Sequence, residues 1–422
     1  MVSNFRRNAC AFCGSCATAF VVAMAVLVTS LGGANASDPA KDAALDTTSV
    51  AATGATDTTA TTGLRRASVA ATSTTAIAAV GTTSVRATST TVNVSRPVAA
   101  PTSVVAAVQR DRLDSKTPCV YARHDVRSMT RFGQQVGRNF DCALVYNNAA
   151  PGWKDWAKPW FVVHGDPNFN WASWANAQPG RTLIVSQSLI PKSAPSNWRQ
   201  RGVAGEYDTH IRMLGASLVD AGLGTAVMRV AFEANGPWMI DALGKTASDR
   251  DAWRMYWRRF VTVMRSVPGA KFEFDWTVNA GYQALALDSY YPGDDVVDIV
   301  GVDAYDSSVH HDSYRSAPQR WDRIAGQPGG LLEVLAFAKL HRKPLSIPEW
   351  GIAAPGAPMY GAGDNATYID GIAAIVRSNR VRYHSYFLSP TGGIRMTLDH
   401  APNSLASYQK HFGDNGDATG MR

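Results

Sequence analysis

The sequence predicts an α/β protein whose main domain, residues 111–422, is a (β/α)8 barrel. Strand-like apolar runs alternate there with amphipathic helical stretches, which is typical of a parallel α/β fold. Runs such as 226–232 are almost continuously apolar, as expected of strands buried on both faces. An open doubly wound sheet is the alternative, but eight strand–helix pairs in one domain favour the closed barrel.

The first 36 residues are interpreted as an export signal. Arg6 and Arg7 precede an apolar stretch at 17–31, which is short for a membrane span, and Ala34-Asn35-Ala36 offers small residues at a cleavage site. We therefore expect cleavage after Ala36, secretion to the periplasm or the medium, and no stable membrane insertion afterwards. An uncleaved anchor is the alternative.

Residues 37–110 consist mainly of Ala, Thr, Ser and Val, with few charges. A segment of this composition buries too little apolar surface to offset its chain entropy. We interpret it as a disordered tether that links the signal to the barrel. A strand-rich repeat is the alternative reading of its Val and Thr content.

Charge and cysteine content limit the partners. The net charge is +7, but Lys and Arg are scattered among Asp and Glu, so we expect no nucleic-acid binding. Cys10, Cys13 and Cys16 have metal-like spacing without a His or Cys partner set, and we predict no metal and no cofactor. Cys119 and Cys142 are expected to form a disulfide in an oxidising compartment, with two free thiols as the alternative.

The eight strands and the helices between them can be placed from the apolar pattern. Strands are predicted at 119–124, 141–147, 182–190, 226–232, 272–278, 297–304, 345–348 and 383–388. Helices are predicted at 126–136, 208–221, 251–266, 331–341, 367–377 and 405–411. The two cysteines therefore lie near the starts of strands 1 and 2, which are neighbours in a barrel. Catalysis in such barrels takes place at the carboxyl ends of the strands.

Strand 4 ends at an ionisable side chain. With a side-chain period of two, Arg229, Ala231 and Glu233 share one face. An arginine in an apolar strand needs a polar partner, because an unpaired buried charge is very costly, and the mouth of the barrel can supply one. The alternative is a structural ion pair between Arg229 and Glu233.

Strand 7 also ends at a glutamate. Leu345, Ile347 and Glu349 share a face by the same period, so Glu349 is predicted to point into the mouth. A solvated loop glutamate is the alternative. Two carboxylates on strands 4 and 7 of one barrel make a candidate pair for acid–base and nucleophilic chemistry.

Three segments together carry a family resemblance. RVAFEANGPW at strand 4, VDIVGVDAYD at strand 6 and HRKPLSIPEWG at strand 7 resemble the corresponding motifs of glycoside hydrolase family 26, within the clan of barrels with catalytic glutamates after strands 4 and 7. The resemblance implies a retaining endo-β-glycanase with Glu233 as acid/base and Glu349 as nucleophile. It also implies that Tyr305 hydrogen-bonds the nucleophile and that Trp238 stacks on the substrate.

Further substrate-binding residues are predicted from their positions. Arg229 would hold the nucleophile ionised, Trp276 and Asn279 end strand 5, and Trp350 follows the nucleophile. Aromatic side chains line most carbohydrate-sized pockets, although any single tryptophan is more often core, and Tyr305 could also merely pack at the rim. The expected partner is a polysaccharide, and we expect a monomer.

Phe232 departs from the family pattern, because β-mannanases of the family carry a histidine before the acid/base. Phenylalanine cannot form the hydrogen bond of that histidine, so we expect weak activity on plain mannan, unless Phe232 points away from Glu233 and packs outside the barrel. The function that follows is secreted, retaining hydrolysis of a β-linked polysaccharide of the mannan or glucan type. The alternatives are a glycosidase that tailors exopolysaccharide and a catalytically silent carbohydrate-binding barrel.

Overall fold

A computed structural model describes residues 116–147, 150–281, 285–307, 316–355, 361–389 and 395–414. The predicted export signal and tether lie outside the described residues. Among the helices of the described ranges, none is both long and apolar enough to cross a membrane.

Eight parallel strands form a closed barrel in the order of the sequence, which confirms the predicted fold class. The strands are β1 Thr117–Ala122, β2 Cys142–Asn147, β3 Thr182–Gln187, β4 Val227–Val230, β5 Glu273–Asn279, β6 Ile299–Asp306, β7 Leu345–Ile352 and β8 Val381–Leu388. All of them except the first residues of β1 and β3 and the last residue of β5 are buried. The barrel closes because β8 pairs with β1 over six residues of register.

The helices surround this barrel. They are α1 Val126–Val136, α2 Trp153–Ala157, α3 Trp160–Val163, α4 Trp171–Asn176, α5 Trp198–Ala204, α6 Asp208–Asp220, α7 Ala247–Arg265, α8 Ala317–Gly326, α9 Leu331–Leu340, α10 Ala366–Ser378 and α11 Pro402–Phe412. The short helices α2 to α5 have too few residues to show a helical period, and the sequence pattern did not predict them.

The longest helix, α7, is held in place by its amino-terminal cap and by its apolar face. Thr246 and Asp249 form a capping box at the start of α7, and such a cap satisfies backbone N–H groups that lack helical partners. The apolar face of α7 then packs against the barrel, where the Trp257 indole N–H donates to the Val230 carbonyl at 3.1 Å. This contact fixes α7 against the end of β4, next to the predicted acid/base.

The end of β4 differs from the prediction. The strand stops at Val230, and Ala231 and Glu233 have φ of 49° and 52°, a left-handed conformation that is uncommon for residues with a side chain. Ala231 therefore joins the core between barrel and helices, while Phe232 joins the cluster inside the barrel. The prediction that Ala231 shares a face with Arg229 is wrong, because the left-handed turn breaks the period of two.

The barrel interior contains the disulfide. Cys119 and Cys142 are bonded, with Cα atoms 4.5 Å apart and no solvent exposure. Val120 pairs in register with Ala143, so the two cysteines lie opposite one another on adjacent strands. The bridge links β1 and β2 near the amino-terminal end of the barrel, away from the two glutamates.

Candidate active site

Glu349 lies in β7 with 4% of its surface exposed. The guanidinium of Arg229 and the hydroxyl of Tyr146 both donate to its Oε1, each at 2.5 Å. The hydroxyl of Tyr305 donates to Oε2. Three donors, one of them positively charged, therefore hold both oxygens of this carboxylate in fixed positions.

Arg229 is fully buried and shared between two carboxylates. Besides Glu349 it donates through Nη2 to Asp303, and it reaches the hydroxyls of Ser186 at 3.0 Å and Thr277 at 3.3 Å. Burial lowers the pKa of Arg229, but Asp303 and Glu349 raise it well above its ordinary value, so the guanidinium stays charged. The predicted alternative of an Arg229–Glu233 ion pair does not occur, because both terminal nitrogens of the arginine point to other groups.

Glu233 lies just beyond β4 and is 3% exposed. The Asn279 side chain donates to its Oε1 at 2.6 Å and the Trp238 indole to its Oε2 at 3.1 Å. Burial, followed by the charge of Glu349, raises the pKa of Glu233 to about 7, although both hydrogen bonds act in the opposite direction. A carboxyl group with this pKa is protonated for a large fraction of the time near neutrality, as a general acid must be.

The motif that follows Glu233 explains how its donors are held. The Asn235 side chain accepts from the backbone N–H of Asn279 at 2.9 Å and donates to its carbonyl at 3.0 Å, which fixes the end of β5. Gly236 lies against the ring of Trp238 at a point where a Cβ atom would overlap the indole. Asn and Gly in this motif therefore position the two side chains that contact Glu233.

Two predicted substrate-binding residues are not in the site. Trp276 is 1% exposed and packs between barrel and helices against Tyr291 and Phe337. Trp350 is fully buried and stacks on Tyr408 of α11. Both predictions are wrong for the same reason: each tryptophan is adjacent in sequence to an inward-facing residue, so the period of two turns it outward.

The remaining predicted residues are brought together at the carboxyl end of the barrel. They are Arg229, Glu233, Trp238, Asn279, Tyr305 and Glu349.

Phe232 also lies here, with its ring 5.3 Å from that of Tyr146 and 4.5 Å from the Cζ atom of Arg229. It therefore does not pack outside the barrel but lies inside it, beside two side chains that contact the nucleophile.

Sequence reasoning missed two residues of the site. Tyr146 shares the inward face of β2 with Cys142 and Leu144, and the period of two could have identified it. His124 lies beyond the end of β1 with φ of 63°, where no periodic pattern applies. Its ring is 5.7 Å from that of Tyr146, and burial lowers its pKa to about 3, so it is a neutral group.

The side chains around the two glutamates are mainly hydrogen-bond donors. Within the described ranges, no group of three or more His, Cys, Asp or Glu side chains could hold a metal ion. The carboxylates instead face arginine, tyrosine, asparagine and tryptophan. The closed barrel and the glutamate pair at strands 4 and 7 thus define a site of the glycoside hydrolase type.

Comparisons with known proteins agree with this class. Residues 214–326 match the model of glycosyl hydrolase family 26, a span that includes Glu233 and Tyr305 and ends before Glu349. A beta-1,3-xylanase from Alcaligenes sp is 31% identical over 191 residues, which are 42% of this chain and 35% of that protein. The chain thus spans about a third of this relative's length.

Solved structures share the fold at low sequence identity. The modular endo-beta-1,4-mannanase from Cellulomonas fimi is 16% identical with a TM-score of 0.52, covering 74% of this chain and 73% of that one. A double mutant of the same mannanase gives a TM-score of 0.51 at the same identity and coverage. The resemblance to glycoside hydrolase family 26 that the motifs predicted is confirmed.

Proposed function

We propose that this protein is a secreted retaining glycoside hydrolase that cleaves a β-linked polysaccharide of the mannan or glucan type. The observation that carries the proposal is the contrast between the two buried glutamates. Glu349 is held by an arginine and two tyrosines, whereas Glu233 contacts uncharged donors and has a pKa near 7. A buried carboxyl group with a raised pKa, next to a carboxylate that is held by a cation and two hydroxyls, indicates an acid and a nucleophile.

The reaction proceeds in two displacements. Glu233 gives its proton to the glycosidic oxygen while Glu349 attacks the anomeric carbon, so the C–O bond to the leaving sugar breaks as the glycosyl–enzyme ester forms. Glu233, now ionised, then accepts a proton from water, which attacks the same carbon and releases Glu349. Arg229 and Tyr305 take up the charge that returns to Glu349 in this second step.

Two other functions are separated by a simple assay. A catalytically silent carbohydrate-binding barrel would bind a glycan without releasing reducing ends, whereas the proposed enzyme releases them. A glycosidase that tailors exopolysaccharide would act on the producer's own polymer in preference to plant-type β-glycans. Assaying the purified protein on a panel of dye-linked and soluble β-glycans, with product profiling, tests the proposal, and binding without any product would overturn it.

Phe232 carries a prediction on substrate preference. A sugar hydroxyl left unpaired against its ring costs about 1–3 kcal/mol, or roughly tenfold to a hundredfold in rate if the loss is in the transition state. We therefore expect kcat/KM on β-1,4-mannan to be lower than on mixed-linkage β-glucan, xylan or β-1,3-glucan. F232H is expected to raise kcat/KM on β-1,4-mannan relative to kcat/KM on the preferred glycan. F232L is the control, because leucine cannot form a hydrogen bond to the sugar.

A wild-type kcat/KM on β-1,4-mannan at least tenfold above the values on the other three glycans would contradict this substrate preference. An equal response of F232H and F232L would show that ring size rather than hydrogen bonding sets the choice. The beta-1,3-xylanase among the relatives supports including β-1,3-xylan in the panel.

Export is the other part of the proposal. The mature protein is expected to begin at Ser37, because Ala34 and Ala36 place small residues at the third and the last position before the cleavage site. Intact-mass and amino-terminal analysis of protein from the producing host, fractionated into cells and medium, measures this directly. A mature chain that retains Phe20 and fractionates with membranes would instead show an anchor.

A further inference from the structure

A series of aromatic rings leads away from the nucleophile, from the end of β1 to the segment between β2 and β3. We name His124, Trp160, His164 and Phe169 the outer aromatic track. The inner end of the track, His124, lies next to Tyr146, whose hydroxyl donates to Glu349. None of its four residues has a role in the chemistry described above.

The rings of the track follow one another at steps of similar size. Trp160 lies 5.0 Å from His124, His164 lies 6.5 Å from Trp160, and Phe169 lies 5.1 Å from His164, all between ring centroids. The Trp160 indole also donates to the backbone carbonyl of Tyr146 at 3.0 Å. The inner end of the track is therefore attached to the strand that carries the nucleophile's partner.

The inner end of the track is buried, and its other rings are at least partly accessible to solvent. His124 is 7% exposed, Trp160 and Phe169 are half-buried, and His164 is exposed. The buried Nδ1 atom of His124 has no protein partner, and a buried polar atom without a partner is uncommon enough to need an explanation. A hydroxyl group of a bound ligand would supply that partner.

The outer end of the track is fixed before any ligand binds. The Asn170 side chain donates to the His164 carbonyl at 2.9 Å, and the Asp166 N–H donates to the His164 ring at 3.1 Å. The Val126 N–H at the start of α1 donates to the Asn168 carbonyl at 2.9 Å. A surface that is already ordered loses little freedom on binding, which favours its use as a recognition site.

The position of the track assigns it to one side of the scissile bond. Trp238 contacts Glu233, the group that protonates the leaving oxygen, so Trp238 marks the side of the leaving sugar. The inner end of the track lies next to Tyr146, which donates a hydrogen bond to the nucleophile Glu349. The track therefore extends along the part of the polysaccharide that becomes covalently attached to the enzyme.

We propose that the outer aromatic track binds the glycone part of a β-linked oligosaccharide, and that His164 and Phe169 form a distal subsite beyond the reacting sugar. The ligand is a carbohydrate, because sugar rings present apolar C–H faces to aromatic rings and hydroxyls to histidine nitrogens. The inference rests on the proposed function, since the glycone side is defined by the roles of Glu233 and Glu349.

The test uses aryl β-glycosides of the preferred glycan with glycones of two, three and four sugars, so that the leaving group stays constant. In the wild type, kcat/KM is expected to rise with glycone length. In F169A the ratio of kcat/KM between the longest and the shortest substrate is expected to fall about tenfold, the scale of one lost aromatic contact. V163A, which changes an exposed apolar residue of α3 (53% exposed), is expected to keep the wild-type ratio.

The outcomes separate this inference from the proposed function. A loss of rate in F169A that is equal for all glycone lengths would show a structural role and overturn the subsite. If the wild type hydrolyses none of the glycosides, the proposed function fails, and calorimetric titration with the four-sugar oligosaccharide then tests the track alone. Affinity that is equal in wild type and F169A would overturn the subsite in that case as well.

Discussion

Replacement of Glu349 by alanine is expected to lower kcat/KM by about five orders of magnitude, the scale of loss when a covalent nucleophile is removed. The expectation rests on the position of this carboxylate, on which three donors converge. Arg229 remains paired with Asp303, so the barrel interior is not left with an isolated charge and the variant is expected to fold.

Azide distinguishes a lost nucleophile from a damaged site. The anion is small enough to enter the space of the deleted carboxylate and to attack the anomeric carbon of an activated aryl glycoside. The product is then a glycosyl azide of inverted configuration, because a single displacement replaces two. Measurable rescue with this product is the expected result, and E206A, which removes an exposed glutamate (46% side-chain exposure), is the matched control.

A different outcome would identify a different mechanism. If E349A keeps more than about one hundredth of the wild-type rate, Glu349 does not form the covalent bond, because residual activity from binding and transition-state stabilisation alone is smaller than that. Retention of the anomeric configuration in the azide product of E349A would also contradict the assignment. Circular dichroism of both variants checks that the fold is intact.

The fold was predictable because its signal is repeated. Each of the eight strands contributes a run of buried apolar residues, and one misplaced boundary does not change their number or order. The ends of the strands carry less information. Strand β7, Leu345–Ile352, extends four residues beyond its predicted end. Glu349 lies in this extension, and hydrogen bonds from polar partners, rather than contacts with apolar neighbours, make the burial of its side chain favourable.

The site was predictable where motif and period agree, and not where the backbone departs from both. Glu233 was found by its motif, but the left-handed residues around it changed which neighbours face the mouth. Such strained conformations cluster at functional sites, and no pattern of apolar residues reports them. Trp276 and Trp350 were wrongly assigned to the substrate site because they are aromatic. The alternation of side chains along their strands places both of them in the core instead.

Replacement of Glu233 should affect substrates according to their leaving groups. General acid catalysis contributes about 10²- to 10⁴-fold, and this contribution is needed only when the leaving oxygen is a poor leaving group. We expect E233A to lose this factor in kcat/KM on the natural glycan, and to lose much less on a dinitrophenyl glycoside of the same sugar. E233Q is the matched variant, since it preserves the shape of the side chain and cannot give a proton.

The pH profile gives an independent measure of the same role. Burial and the charge of Glu349 hold the pKa of Glu233 at about 7, so the acid is protonated below this pH and ionised above it. The wild-type kcat/KM on the natural glycan is therefore expected to fall as pH rises through about 7, and this basic limb should be absent in E233A and E233Q. Equal losses on natural and activated substrates, or a basic limb that survives in both variants, would refute Glu233 as the acid.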